Sequence, residues 1–223
     1  MNSESRMYRE PIESRQDAGN TVFRDGAEWK VRLSDGAEIV VPERLGKSMY
    51  VALDLLTTHL DRHKGWTSQG ISNVFTEASL KRFDCHALVA YGIGALINLR
   101  FLKTLSYTAN HLFFGKEDFK TCVTREEFEK LSEPLLQNEP IAVFQMLKEG
   151  SLSHGFFVFR GRSGLYVFYR GGSTGGVLFE KLDDSTWNEL VAAYGNDFAG
   201  DSYSHLAQRE DLKKYYAAFH SDA

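Results

Sequence analysis

Two residues in this chain have the types and surroundings for nucleophilic chemistry, Cys85 and His154. Cys85 opens the run Asp84-Cys85-His86-Ala87-Leu88-Val89-Ala90-Tyr91-Gly92, whose apolar, Ala/Gly-rich character continues through Ile93, Gly94, Ala95, Leu96, Ile97 and Leu99. Small and apolar residues on most sides predict a buried central helix. A cysteine in its first turn meets unpaired N–H groups and the positive end of the macrodipole, which lower a thiol pKa. His154 stands in Ser153-His154-Gly155-Phe156-Phe157-Val158-Phe159, where the chain enters a strand. A ring there can face the seam between a helix layer and a sheet. A thiolate needs a base or imidazolium partner, and that partner needs a third group to orient its ring.

The elements that must position this pair follow from pattern. Alternation around Asp25-Gly26 and Asp35-Gly36 predicts an antiparallel meander over residues 21–42, closed by Pro42. Met49, Leu53, Leu56 and Leu60 recur at helical spacing over residues 48–62. Residues 66–79 read as a loop leading to the cysteine helix. Thr124 is an N-cap with Glu126 and Glu127 in the first turn behind it, and a second helix is expected over 141–148. Strands follow at 156–160, 165–170 and 177–181, the first two joined by a hairpin at Gly161-Arg162-Ser163-Gly164. Helices are expected over 185–194, with Ser185 as N-cap, and over 204–219. This order is α+β, with a central cysteine helix packed on a C-terminal antiparallel sheet.

With 223 residues, 43% hydrophobic and 25% charged, the chain has material for one core. A net charge of −4 and no basic cluster argue against nucleic acid as a partner. Two cysteines argue against a disulfide framework and for a reducing compartment. Residues 1–20 are polar, without the apolar core of a signal peptide, and read as a disordered or targeting tail. The longest apolar run, around 87–99, is too short to span a bilayer. The expected location is cytoplasmic, or outside the cell by export without a classical signal peptide. Residues 21–223 are expected to form a single domain, with the meander at one end and helices over 185–219 at the other.

Phe83-Asp84-Cys85-His86-Ala87-Leu88-Val89-Ala90-Tyr91 resembles the Phe-Asp-Cys-Ser-Gly-Leu-Val signature of the NlpC-type cell-wall peptidases, members of the papain-like superfamily. Residues 153–172 are similar to that superfamily's histidine hairpin, and to the same hairpin in the YopT/AvrPphB-type effector peptidases. The resemblance implies a papain-like fold and a thiol hydrolase acting on an amide through an acyl-enzyme, with no cofactor. Cys85 would be the nucleophile and His154 the base. The third position of the superfamily falls near Tyr169 or Arg170; Arg170 has no lone pair to accept an imidazole N–H, whereas the tyrosine oxygen can accept. Glu180, Asp183 or Asp184 could serve instead. The Cys85 backbone N–H is the natural oxyanion donor, with Gln69 or Ser79 as a second. The sequence departs from the signature at His86, where the family has serine. The implied partner is a protein or peptide substrate: a peptide bond, a glutamine side chain or a cell-wall peptide. The absence of a signal peptide weighs against the last. The rival expectation is a non-catalytic interaction protein on a degenerate scaffold of the same kind.

Other constellations carry less. His59 and His63 have helical metal-ligand spacing, but Leu60 stands where a glutamate would follow the first histidine, and no third ligand is evident. Cys122 reads as structural. Gly171-Gly172-Ser173-Thr174-Gly175-Gly176 lacks the Lys-Ser/Thr of a P-loop and reads as a glycine loop between strands. The aromatics at 156, 157, 159, 166, 168 and 169 alternate across two strands and read as core on one face, with core or a substrate groove on the other and core favoured.

Overall fold

The computed structural model describes residues 14–60, 84–96, 111–171 and 177–218. They form a mixed α+β fold in which helices pack against two antiparallel sheets. The first sheet is a meander of β1 (Ser14–Asp17), β2 (Asn20–Asp25), β3 (Glu28–Arg32) and β4 (Glu38–Val41), paired in chain order. Alternation places Val22, Trp29, Val31, Ile39 and Val41 on its inner side. Its first strand lies inside the stretch read as a tail, because polar Ser14-Arg15-Gln16-Asp17 pairs with β2 through a turn at Ala18-Gly19. Helix α1 (Glu43–Leu60) begins directly after Pro42 and crosses the meander. It starts five residues earlier than its apolar spacing suggests.

The second sheet has the order β5-β10-β6-β7-β8-β9: β5 (Lys120–Thr121), β6 (Ile141–Lys148), β7 (Ser151–Arg160), β8 (Leu165–Arg170), β9 (Val177–Lys181) and β10 (Asp197–Ser202). Both faces are covered. One carries α1, α2 (Cys85–Gly92), α5 (Tyr203–Gln208) and α6 (Glu210–Ala217); the other carries α3 (Arg125–Ser132) and α4 (Asp184–Tyr194). Strands β7 and β8 therefore divide their side chains between two layers. Phe157, Phe159, Tyr166 and Phe168 join the meander, α1 and α2 in one layer; Phe156, Val158, Val167 and Tyr169 join Phe128, Trp187 and Phe198 in the other.

Several expectations are corrected here. Residues 141–148 are the central strand β6, not a helix. Every residue from Ile141 to Leu147 is buried, so no period distinguishes strand from helix there. The N-cap of α4 is Asp183, whose carboxylate accepts from Thr186 N–H at 3.0 Å, rather than Ser185. The C-terminal helix is broken at Arg209, where the backbone is extended, into α5 and α6. Helix α2 stops at Gly92 instead of running to residue 99, and Gly94 has a φ of 79°. Thr124 is the N-cap of α3 as expected, and Glu127 completes a capping box with it.

The meander is stitched to the outer edge of β9. Phe179 N–H donates to Asp17 Oδ2 (2.9 Å), and Asn20 Nδ2 donates to the Phe179 carbonyl (2.8 Å). Asn20 Oδ1 also accepts from Ser34 N–H at 2.8 Å, and the residue is fully buried. Edge-strand groups open to another chain are thereby satisfied within this one. Asn20→Ala leaves one carbonyl and one N–H without partners and is expected to cost about 2–4 kcal/mol, read from urea unfolding. A loss under about 0.5 kcal/mol, the range of neutral surface changes, would mean the clip contributes nothing.

Candidate functional site

Cys85 is the first residue of α2, and Asp84 is its N-cap, with Oδ1 accepting from Ala87 N–H at 2.9 Å. The helix lies directly over β7. A Cβ placed at Gly155 would meet His86 Nδ1 at 3.4 Å and Val89 Cγ2 at 3.5 Å. A Cβ at Gly92 would lie 2.5 Å from Phe157 Cζ, so only glycine lets the helix approach this closely. The Tyr203 hydroxyl donates to the Gly92 carbonyl at 2.8 Å and ties down the same end.

Cys85 is 4% exposed. Burial first, and then the Asp84 charge, push its thiol up to about 12; hydrogen bonding from the backbone at Gly155, His86 and Cys85 itself pulls the other way. The expectation of a thiol lowered by the helix end is thus reversed in this conformation. The favourable seat for an anion at the α2 N-terminus is taken by the Asp84 carboxylate.

His154 lies inside β7, opposite Met146. Gly155 faces α2, so His154 projects to the other face of the sheet with Phe156. Its ring stacks on Tyr194 (centroids 3.8 Å apart, 8° between planes), meets Tyr169 edge-on at 4.9 Å and runs parallel to Phe156 at 5.8 Å. It is fully buried, and neither ring nitrogen has a hydrogen-bond partner. Burial, then the charge of His86, hold it well below the usual histidine range, so the ring is neutral. His86 is also buried, with Nδ1 unpartnered; burial lowers its pKa while Asp84 acts in the opposite sense.

The expected pair is therefore close in the chain's architecture but divided by β7: the thiol is on the α2 face and the imidazole on the α4 face. None of the proposed orienting groups bonds to His154. Tyr169 offers it a ring edge, and its own hydroxyl is pushed up by burial and then by Tyr194, Glu180 and Glu189. Glu180, on β9, is raised by burial and neighbouring carboxylates and takes a hydrogen bond from Thr186. Asp183 caps α4, which lowers its carboxyl. Gln69, Ser79 and His63 lie outside the described residues, as does the glycine run at 172–176.

The residue that sequence reasoning set aside is Arg170. It is 5% exposed and alternates onto the α2 face, where the charges of Asp84 and Cys85 favour its guanidinium against the cost of burial. Parity along β8 was the available signal: Tyr169 and Arg170 must face opposite layers. Cys122 is buried in the layer of Phe128 and pushed up to about 11 by burial, then Glu127 and Asp197.

Among the described residues, no group of three or more His, Cys, Asp or Glu is arranged to hold a metal ion. Nor is any helix among them long and apolar enough to cross a membrane. A cleft of about 820 Å³ lies between α3, the β7–β8 hairpin and the β9–α4 link. Its charges are of both signs, and Arg125 is tied to Asp184 at 2.8 Å, so it favours no one class of ligand. No family model matches the chain, and no curated protein or solved structure matches it either.

Proposed function

We propose that this chain is a cysteine-dependent hydrolase of amide bonds, held here in a resting conformation. One observation carries the reading. Three ring nitrogens of two buried histidines lack partners on the two sides of β7, with a buried thiol and a buried guanidinium on the α2 side. Each orphaned group costs about 1–3 kcal/mol. Interiors rarely leave such groups unpaired, and sites of chemistry are where they do.

In the active arrangement, Cys85 Sγ attacks the amide carbonyl carbon while His154 takes its proton. His154 then returns that proton to the leaving amine, and water cleaves the acyl-enzyme. The Cys85 N–H, at a helix start, donates to the oxyanion. Arg170 offsets the thiolate charge beside Asp84. A protein substrate fits this chemistry, at a peptide bond or a glutamine side chain.

A second reading is a non-catalytic interaction protein. The placement of Cys85 and His154 on opposite faces of β7 favours it. Alkylation of Cys85 by iodoacetamide against pH separates the two, with Cys122 as the internal comparison. The hydrolase reading expects a reactive Cys85 below pH 8 whose advantage His154→Ala removes. Equal rates at the two cysteines, indifferent to His154, carry the interaction reading instead.

A further inference from the structure

The pairing of β6 with β7 is irregular at one point. Leu147 faces Leu152 and Met146 faces His154, so Ser153 is an extra residue with no partner opposite. A bulge of this kind turns two consecutive side chains to one side of the strand. Ser153 indeed shares the α4 side with His154: its hydroxyl donates to the Met146 carbonyl at 3.0 Å and also contacts the Tyr194 carbonyl. From Gly155 onward, opposite Gln145, the ladder is regular as far as Phe159. On the other side, Lys148 faces Ser151 across a turn at Glu149 and Gly150, both with positive φ. The irregularity is thus confined between two fixed points.

We propose that this bulge is a register switch: moving it by one residue carries His154 to the α2 face, beside Cys85. This rests on the hydrolase reading and names how that site is assembled. In the shifted register Ser153 faces Met146 and His154 becomes the extra residue. Gly155 keeps its place opposite Gln145, so nothing downstream moves. His154 then shares a side with Gly155, under the N-terminus of α2. A one-residue slip reverses the face of a residue it displaces; here Ser153 stays on the α4 side with Met146, and His154 alone changes face.

Three features fit the switch. The His154 side chain has no hydrogen bond to lose, since both ring nitrogens are unpartnered where it now lies. Gly155 presents no side chain of its own on the α2 face, so the groups an arriving ring must displace are His86 and Val89, whose atoms lie 3.4 and 3.5 Å from a Cβ placed at Gly155. On that face stand the Cys85 thiol, the Asp84 carboxylate and the Arg170 guanidinium, so a ring arriving there finds both a thiol to pair with and a carboxylate that favours its charged form. What opposes the shift is the stacking of His154 on Tyr194, its contact with Tyr169, its pairing with Met146 and the hold of the Ser153 hydroxyl on the Met146 and Tyr194 carbonyls. That balance leaves the resting register favoured and the other accessible to a ligand that uses it.

The test is disulfide trapping in a Cys122→Ser background, since a disulfide requires Cα atoms within about 7 Å and side chains aimed at each other. In His154→Cys, the introduced thiol reaches Cys85 only from the shifted register. The expected result is oxidation of most of the protein to a disulfide between position 154 and Cys85, identified by peptide mass. The positive control is Gly155→Cys, which faces α2 in either register. The resting register is trapped separately by His154→Cys with Tyr194→Cys. Cross-linking to position 194 but none to Cys85, under conditions that cross-link the Gly155→Cys control, overturns the switch. A trapped disulfide with no effect of His154→Ala on Cys85 alkylation leaves the switch standing and removes the hydrolase. The converse removes only the switch.

Discussion

Acidification from pH 7 to pH 5 is expected to destabilise the fold through His154, before the carboxylates held low begin to titrate. The folded ring is held well below its ordinary value of 6.5, mainly by burial. The unfolded chain therefore binds the proton more readily than the folded one. The contribution of a neutral ring is complete above pH 6.5, and it falls by about 1.4 kcal/mol per pH unit below that until the folded group itself titrates. His86 adds a term of the same sign, reduced by Asp84, and half-buried His111 adds a smaller one. Glu180 acts the opposite way: its carboxyl is raised, so acid relieves its cost of burial. Carboxyls held low by hydrogen bonds or ion pairs, Asp35, Asp183 and Asp211 among them, lose their contributions only near pH 4 and below. The histidine window between pH 6.5 and 5 is therefore separable from theirs. Urea midpoints of wild type and His154→Leu across that window measure the effect. Leucine keeps the bulk and cannot take a proton, so the variant should lose most of the slope. An unchanged slope would mean that His154 is not the buried neutral group described.

The local features of the fold were legible because each is decided by a few neighbouring residues. The capping box at Thr124 and Glu127 needs only a three-residue spacing. The hairpin at 161–164 needs only its glycines between alternating apolar runs. Strand β6 was not legible, since cover on both faces removes the alternation that marks a strand. Strand β10, Asp-Phe-Ala-Gly-Asp-Ser, has almost no apolar content and exists because it pairs with β6 and β5. At Asp183-Asp184-Ser185 three successive residues are able to cap a helix, and spacing cannot choose among them.

The site divides in the same way. Cys85 at a helix start was readable from Asp84 and the apolar run behind it. That Asp84 would itself take the helix end, and so raise the thiol, was equally implicit in the cap. The side of β7 that carries His154 was not readable, because it depends on one bulge residue, Ser153, with no sequence signature of its own. Tyr169 and Arg170 face opposite layers, Tyr169 toward His154 and Arg170 toward Cys85, because neighbours on a single strand alternate.

Phe128→Ala is expected to cost about 3–5 kcal/mol, the range for deleting a fully buried aromatic ring. Phe128 comes from α3 and is completely buried. Its ring lies 4.8 Å from those of both Phe144 and Phe198, 5.7 Å from Trp187 and 6.2 Å from Phe156. Four side chains from β6, β7, β10 and α4 thus converge on it, and none is able to close the cavity without leaving the sheet or the helix that holds it. Phe156 is also the ring that lies parallel to His154, so the substitution hollows the layer beneath the histidine while leaving α2 untouched on the other face. Comparison of two measurements then decides how the layers are coupled. If urea unfolding shows the expected loss and Cys85 alkylation stays at its wild-type rate in the absence of urea, the two faces of the sheet open independently. If Cys85 becomes reactive in proportion to the lost stability, access to the thiol runs through global unfolding, and the resting site has no local route by which a substrate reaches it. A loss below about 1 kcal/mol would mean that the layer collapses around the missing ring, contrary to the rigid packing on which the placement of His154 depends.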